Sequence, residues 1–252
     1  MSGVYWMEAK MELRKMARLK QYSLSVVGFP LMFYIFFGLS MASSFAIGPV
    51  LMSKYLLATY GACSVLGATL YAFGAGVAVE RGMGWLEVKN ASPMPAGAYL
   101  LAKMAVSVVF GAMVVSLLFA LGAIFGGVRM PAGQWLLLGA VLVAGAIPFG
   151  AIGLAIGSFA GPNSAPGTVN MIYLPMAFLG GLWMPIDVMP KALQQFAPLL
   201  PSYHLGQVAL AILGAPAHGS IAAHVEVLVG FGLLFAGISW IAQSREHVKM
   251  YG

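Results

Sequence analysis

The sequence predicts an all-α integral membrane fold with six transmembrane helices, an N-terminal amphipathic interfacial helix and a re-entrant outer helical segment between spans five and six. Of its 252 residues, 61% are hydrophobic and only 8% are charged, whereas a soluble domain carries about 25% charged residues. A run of about 20 apolar residues crosses a bilayer of about 30 Å. This composition excludes a soluble enzyme, a disordered chain and a secreted disulfide scaffold, and it leaves no segment for a large domain in water.

Residues 1–20 predict a basic amphipathic helix that lies in the membrane interface. Lys10, Arg14 and Arg18 recur at every fourth position on one face. The opposite face is apolar and consists of Trp6, Ala9, Leu13, Met16 and Ala17. The alternative is an ordinary solvated first helix, but the apolar run after Gln21 favours the interface.

Six apolar runs, bounded by charged or turn residues, predict the membrane spans. They are Tyr22 to Met41, Tyr55 to Val79, Leu101 to Phe125, Trp135 to Ala160, Val169 to Met184 and Ile221 to Gln243. An even number of spans places both termini on the same side of the membrane.

The basic residues predict which side that is. With cytoplasmic termini, only Lys54, Arg129 and Lys191 of the 13 Lys and Arg residues lie outside, as expected when short inner loops carry the positive charge. We therefore expect a multi-pass protein of the cell inner or plasma membrane with both termini in the cytoplasm. The net charge of +6 then reflects topology and does not require a nucleic-acid partner.

The loop at 80–99, between spans two and three, is a candidate docking surface. A short helix there ends before two prolines, Pro93 and Pro95. Trp85 and Leu86 are suited to insert into a groove on a cytoplasmic partner, with Glu87 and Lys89 at its rim, because aromatic anchors dominate interface energetics. The alternative is that Trp85 only anchors the chain in the interfacial aromatic belt.

The segment 185–220 is apolar but divided by prolines into pieces too short to cross the membrane. Two pieces are predicted, Lys191 to Ala197 and Ser202 to Leu213, with Ser202 as the N-cap and Gly214 as the C-terminal stop of the second. We expect this segment to enter the membrane from outside and return, which requires its free backbone groups to be satisfied by protein or water. A loop lying flat on the outer surface is the alternative.

The sequence contains none of the common catalytic or metal-binding motifs. It has no Gly-Lys dipeptide, so the phosphate-binding loop of P-loop ATPases is absent. The histidines are scattered and no metal site is expected. By the span boundaries above, Glu226 is the one acidic residue inside a span, so no buried charge relay is expected to drive transport. The energy source is therefore expected to be a partner with an ATPase.

The chain resembles the membrane subunits of ABC-2 type exporters, the second exporter class of ATP-binding-cassette transporters. The resemblance covers essentially the whole chain. It rests on the N-terminal helix, on Glu80-Arg81 through Pro95 leading into Tyr99 to Lys103, on Tyr173 to Pro185, and on Phe196 to Gln207.

This resemblance implies a single transmembrane domain over 1–252, in which 80–99 is a coupling loop against a separate nucleotide-binding subunit. The coupling residues would be Glu80, Arg81, Trp85, Leu86, Glu87 and Lys89. Two ATPase subunits would bind ATP and Mg, while this chain would hold no cofactor and would not itself be an enzyme. A second copy of the chain, or a homologous permease, and membrane lipid are the other partners it implies.

A substrate path between two such subunits would be lined by spans one, two and five. Its candidate lining residues are Phe29, Phe33, Phe36, Met176 and Phe178. Because the spans offer aromatic and Met surface, the expected cargo is an amphipathic or hydrophobic compound that is drug-like, lipid-like or a peptide, moved outward. The alternatives are a membrane-embedded lipid-modifying enzyme and a non-transporting sensor or assembly subunit.

Overall fold

A computed structural model of the chain describes residues 2–19, 22, 24–41, 46–91 and 95–251. The part of the coupling-loop motif at 92–94 lies outside the described residues. The N-terminal helix α1 spans Ser2–Arg18 and packs against the helix Ala96–Ile124. Met16 is buried and Leu13 is half-buried, whereas Trp6 is exposed. The predicted amphipathic helix is therefore present, and the middle of its apolar face contacts the bundle.

The first apolar run forms a short helix, α2, at 24–41. Two π-helical pieces, Leu24–Gly28 and Tyr34–Met41, flank the α-helical piece Phe29–Phe33. Its apolar part, Val26–Ser40, is shorter than a membrane span. A minimal antiparallel hairpin of strands β1 (Ala46–Ile47) and β2 (Val50–Leu51) follows. These four residues are the only strand residues in the described part of the chain.

Helix α3 (Met52–Gly82) lies at the centre of the bundle. Of its most apolar 18 residues, 78% are buried, compared with 11% for the last long helix, Ile221–Ala242. The large core cluster includes α3 residues such as Leu57 and Leu66, both with no exposed surface. The other long helices therefore pack around α3.

The remaining helices complete the bundle in chain order. They are α4 (Trp85–Ala91), α5 (Ala96–Ile124), α6 (Ala132–Phe159, interrupted at Gly145), α7 (Ala165–Leu179), α8 (Lys191–Phe196), α9 (Pro201–Leu213) and α10 (Ile221–Tyr251). Four described helices, α3, α5, α6 and the 221–242 part of α10, are long and apolar enough to cross a membrane. The number rises to five if the bent pair Lys191–Leu199 and Pro201–Leu213 is one span.

The structure refines two of the predicted spans. The fifth run was expected at 169–184, but α7 starts at Ala165 and ends at Leu179, because the chain turns at Gly180 and Gly181. At 1.5 Å per residue, these 15 residues cover only about 22 Å. The first and fifth runs thus form helices that are shorter than a usual membrane span.

The segment 185–220 divides as the prolines predict. α8 continues into a 3₁₀ turn at Ala197–Leu199 and then bends by 96° into α9. Gly214 ends α9 with φ +68°, which confirms the predicted stop, since glycine adopts this left-handed conformation without strain. The predicted N-cap was wrong: Leu200 holds that position. The Ser202 hydroxyl lies inside the first turn and donates to the Met176 carbonyl at 2.5 Å.

Candidate coupling site and adjoining cavity

The candidate coupling site is built on a sharp turn between α3 and α4. Gly84 has φ +75°, which a residue with a side chain adopts only with strain. The Gly84 amide donates to the Arg81 carbonyl at 3.0 Å. Because this turn is tight, only two residues separate the end of α3 from the start of α4, and the two helices contact each other.

Helix α4 presents an exposed apolar surface. Trp85 is 54% exposed and Val88 is 62% exposed; at a spacing of three residues they lie on the same helix face. Met83, in the preceding turn, is 67% exposed. Glu87 is exposed and Leu86 is half-buried. Of the predicted residues on α4, Trp85 and Glu87 are thus accessible. The exposed Val88 beside them was not predicted from the sequence.

Lys89, one turn after Trp85 on α4, is held inside the molecule. Its ammonium donates to the Glu8 carboxylate of α1 at 2.6 Å and lies 4.4 Å from the centroid of the Tyr99 ring. Both ion-pair side chains are only about one-fifth exposed, 20% for Lys89 and 17% for Glu8. Lys89 therefore ties α4 to α1.

Glu80, at the end of α3, is the hub of a buried charged cluster. Its carboxylate accepts from the Lys103 ammonium of α5 at 2.7 Å and from the Tyr99 hydroxyl at 2.6 Å. It also pairs with the Lys15 ammonium of α1. Glu80 is 8% exposed, so these partners replace the water that an ionised carboxylate otherwise requires.

Glu12 of α1 closes this cluster. It accepts from the Lys103 ammonium at 2.5 Å and from Lys15 at 2.8 Å, and it is 4% exposed. The buried charged cluster, Glu12, Lys15, Glu80 and Lys103, contains two carboxylates and two ammonium groups and is therefore neutral as it stands. Removing one of its three buried members, Glu12, Glu80 or Lys103, leaves an uncompensated charge and costs about 3–5 kcal/mol.

This cluster overturns one expectation from the sequence. No buried charge relay was expected, because the acidic residues apart from Glu226 lay at or beyond the ends of the predicted spans. Lys103 in fact has no exposed surface. It lies within the apolar helix Gly97–Ile124, where a lysine needs carboxylate partners. Its position just inside a span was the available signal, and it was interpreted only as a loop charge.

Arg81 also contacts the bundle. Its guanidinium donates to the Ser158 carbonyl and, at 2.9 Å, to the Ala160 carbonyl at the end of α6. These carbonyls belong to the last turn of a helix, where they lack helical partners and a cation is favoured. The structure thus brings Glu80, Arg81 and Lys89 together as internal links, while Trp85 and Glu87 reach the surface.

The electrostatics of Lys15 follow from its position at the edge of the cluster. Burial by itself lowers the pKa of an ammonium group, but here the Glu80 and Glu12 carboxylates outweigh burial and raise the pKa of Lys15 above its ordinary value. Its side chain is 42% exposed. Lys15 therefore stays charged through the neutral range while remaining in contact with solvent.

A cavity of about 650 Å³ adjoins the cluster and α4. Its apolar wall includes Met11, Leu19 and Trp85, and its polar wall includes Lys15 and Asn170. Residues from α1, α3, α4 and α7 line it together. A volume in the range of about 300–1,000 Å³ with mixed walls is typical of sites for drug-sized ligands.

The predicted path residues form an aromatic row rather than a single pore wall. Phe33 lies 5.8 Å from the Trp183 ring, and Phe178 lies 6.0 Å from the same ring. Phe29 stacks on Phe33 at 4.4 Å. This row joins α2 to the end of α7 and offers apolar and aromatic surface.

The other two predicted path residues take different positions. Phe36 is 56% exposed on α2. Met176 is 7% exposed and belongs to the large core cluster. In the described chain the Met176 side chain therefore contributes to packing, whereas Phe36 faces outward.

The described residues contain no group of three His, Cys, Asp or Glu side chains placed to hold a metal ion. Cys63 is buried, and its sulfur lies 3.2 Å from the Tyr173 hydroxyl.

Comparison with known proteins identifies the chain's family. The ABC-2 type transporter family matches residues 4–213. The chain is 30% identical over 240 residues to YvfS of Bacillus subtilis (strain 168), which is named as a transport permease, and the match covers 94% of this chain and 96% of YvfS. Members of this family are membrane components of transporters rather than catalytic enzymes, and they generally pair with ATPase subunits. The chain is therefore a member of the ABC-2 type transporter family.

Proposed function

We propose that this chain is the permease subunit of an exporter that moves an amphipathic or hydrophobic compound out across the cell membrane. Two separate nucleotide-binding subunits, which hold ATP and Mg, would supply the energy. The complex would contain a second copy of this chain or a homologous permease, with six spans from each and all termini in the cytoplasm. Spans one and five would then be the short helices α2 and α7.

The observation that carries this proposal is that α4 has an exposed apolar face and is also held firmly by its neighbours α1 and α3. Trp85 and Val88 are accessible, yet the helix is fixed to α1 through Lys89 and Glu8 and follows α3 through a tight turn. A partner that moves Trp85 would therefore also move the ends of α1 and α3. Such a surface suits the transfer of motion from an ATPase better than simple anchoring in lipid.

The cargo class is supported by two apolar surfaces. The cavity beside α4 combines Met11, Leu19 and Trp85 with the charged side chain of Lys15, which suits a molecule that has both an apolar and a polar part. The aromatic row of Phe29, Phe33, Trp183 and Phe178 offers further apolar contact toward the other end of α7. We propose that the compound is taken up at the cavity and passes along this row.

The test is purification of the tagged chain from its native membrane, with ATP hydrolysis by the co-purified material as the readout. We expect the wild type to bring an ATPase with it and Trp85→Ala and Glu87→Lys each to reduce the recovered activity by at least about tenfold, a loss of about 1.4 kcal/mol in binding. Trp240→Ala is the matched tryptophan control, because Trp240 is 73% exposed in the last long helix. Lys191→Glu is the matched charge reversal on exposed α8.

Two results would contradict the proposal. One is recovery of the folded wild-type chain without any ATPase. The other is equal ATPase recovery with Trp85→Ala, Glu87→Lys and the two controls.

Orientation is tested separately by labelling single cysteines from either side of the membrane. A cysteine at Ser92 should react only with reagent supplied inside, and one at Gln194 only with reagent supplied outside. Cys63 is buried, so its own reaction should be slow. Labelling of Ser92→Cys from outside would reverse the proposed topology.

A further inference from the structure

Two histidine rings meet directly where the re-entrant segment contacts the last helix. The Nδ1 atom of His204, in the first turn of α9, lies 2.8 Å from the Nδ1 atom of His224, in the first turn of α10. The residues are 7% and 6% exposed, respectively. An N to N distance of 2.8 Å is a hydrogen-bond distance, so one hydrogen must lie between these atoms.

The outer nitrogen of each ring faces a backbone carbonyl. His204 Nε2 lies 2.9 Å from the Pro198 carbonyl oxygen, and His224 Nε2 lies 2.5 Å from the His218 carbonyl oxygen. A carbonyl oxygen can only accept a hydrogen bond. Both Nε2 atoms must therefore carry a hydrogen.

Counting hydrogens fixes the charge of the pair. A neutral imidazole has a hydrogen on only one of its two nitrogens. With both Nε2 atoms occupied, two neutral rings would leave two bare Nδ1 lone pairs facing each other at 2.8 Å. The observed contact requires a third hydrogen shared by the Nδ1 atoms, so the two rings together carry one positive charge.

We propose that His204 and His224 form a proton-binding site that joins the re-entrant segment to the last helix. The pair binds one proton between its Nδ1 atoms in the observed arrangement. Loss of that proton leaves two facing acceptors, and gain of another leaves two facing donors, each with a positive charge. Either change breaks the direct contact between α9 and α10.

The side chains around the pair are aromatic and polar. Tyr203 packs edge-on against both rings, at 5.4 Å from His204 and 5.9 Å from His224. His218, on the loop before α10, binds the Asp187 carboxylate through its own ring at 2.9 Å. Its backbone amide also donates to the Gln207 side chain at 2.7 Å.

The neighbouring elements contribute few other titratable groups among the described residues. From α3, Tyr55 interacts electrostatically with Asp187 and Tyr203. On α10, the exposed Glu226 lies two residues beyond His224. Asp187 and Glu226 are thus the carboxylates of this region, and neither hydrogen-bonds to the His204 or His224 ring in the described structure.

Through the His204–His224 pair, a change of pH would alter the contact between the segment 185–220 and α10. Through the two rings, the proton connects the Pro198 carbonyl, α9, the loop at His218 and α10. If the chain exports as proposed above, this contact holds the outer segment closed and its loss frees α9 to move. The proton-binding site itself does not depend on the export function.

The direct test is NMR of the purified full chain with ¹⁵N-labelled histidine, recorded from pH 5 to 9. We expect a proton coupled to both the His204 and His224 Nδ1 nitrogens around neutral pH, and loss of this signal at both ends of the range. His204→Gln and His224→Gln should each abolish it. His218→Gln, which removes a ring outside the pair, should keep it.

A stability measurement gives a second readout that does not depend on the NMR signal. The unfolding temperature of the wild type should exceed that of His204→Gln most near neutral pH, and this advantage should shrink by about 2–4 °C toward pH 5 and pH 9. The proposal is overturned if both Nδ1 atoms lack hydrogen throughout the range, or if the difference between wild type and His204→Gln is the same at every pH. Either result would leave the ATPase test above unaffected.

Discussion

Helices are joined by buried polar side chains at both ends of the bundle, but the chemistry of the two contacts differs. At the α1 end, the buried charged cluster joins three helices with two carboxylates and two ammonium groups, whose charges cancel around neutral pH. At the other end, the pair His204 and His224 joins α9 to α10 and requires one proton from solution. The difference indicates that the connection beside α4 keeps its charges through the neutral range, whereas the connection beside α9 depends on one titratable proton.

The largest effect on stability is expected from removing Lys103, the fully buried cation of the buried charged cluster. Lys103→Met leaves Glu12 and Glu80 buried with only Lys15 between them, so the free energy of unfolding should fall by about 3–5 kcal/mol. Denaturant unfolding of the detergent-purified chain measures this loss. Lys10→Met, at an exposed position of α1, is the control and should change it by less than about 0.5 kcal/mol. Equal stability of the two variants would show that the cluster is not a structural connection.

The second largest effect is expected where α9 packs closely against Gly180, at the opposite end of the bundle. A Cβ atom at Gly180 would lie 2.7 Å from the Met176 oxygen and 3.0 Å from the Tyr203 amide nitrogen, and would also meet the Ser202 hydroxyl. Gly180→Ala should therefore cost about 1–3 kcal/mol by overpacking. Gly167→Ala, where a Cβ meets no atom within 4 Å, should not show this loss. Thermal unfolding of both variants would compare them, and an unaffected Gly180→Ala would mean that α9 is not held here.

A smaller effect is expected for the link between α1 and α4. In a double-mutant cycle of Glu8→Gln and Lys89→Met, the coupling energy should be about 1 kcal/mol, as found for contacting pairs. A cycle of Glu8→Gln with Lys10→Met should be additive. The free energies of unfolding supply both values. Additive effects in the first cycle would show that Glu8 and Lys89 do not hold α4 to α1.

The smallest effect is the response of Lys15 to alkaline pH. Because the pKa of Lys15 is raised in the folded chain, its contribution is fully present below the unfolded pKa of about 10.5. It declines as the pH rises further through the folded pKa. Wild type and Lys15→Met should therefore differ by a constant amount from pH 7 to about 10, and their stabilities should converge above that. Convergence already at neutral pH would contradict this assignment.

The sequence alone predicted the features that depend on local pattern. The amphipathic α1, the short helix at Trp85 and the stop at Gly214 all follow from residues within one or two turns. The family resemblance was confirmed over most of the chain. These features need no knowledge of which helix packs against which.

Features that depend on tertiary contacts were missed. Lys103 became interpretable only when α1 brought Glu12 to within 2.5 Å of its ammonium, 91 positions away along the chain. Ser202 has the residue type of an N-cap, but α9 starts earlier and the Met176 carbonyl takes its hydroxyl. Likewise, His204 and His224 are unremarkable in sequence until α9 and α10 face each other.

The proposed function requires the exposed face of α4 to bind the ATPase. It is tested most directly by placing a photo-crosslinking residue at Val88, which is 62% exposed, and at Val188, which is 69% exposed on the opposite end of the bundle. Irradiation of native membranes should join Val88, and not Val188, to a nucleotide-binding subunit, with a yield that changes when ATP is added. An ATPase adduct at Val188, or none at Val88 when the ATPase co-purifies with the chain, would contradict binding of the ATPase at α4.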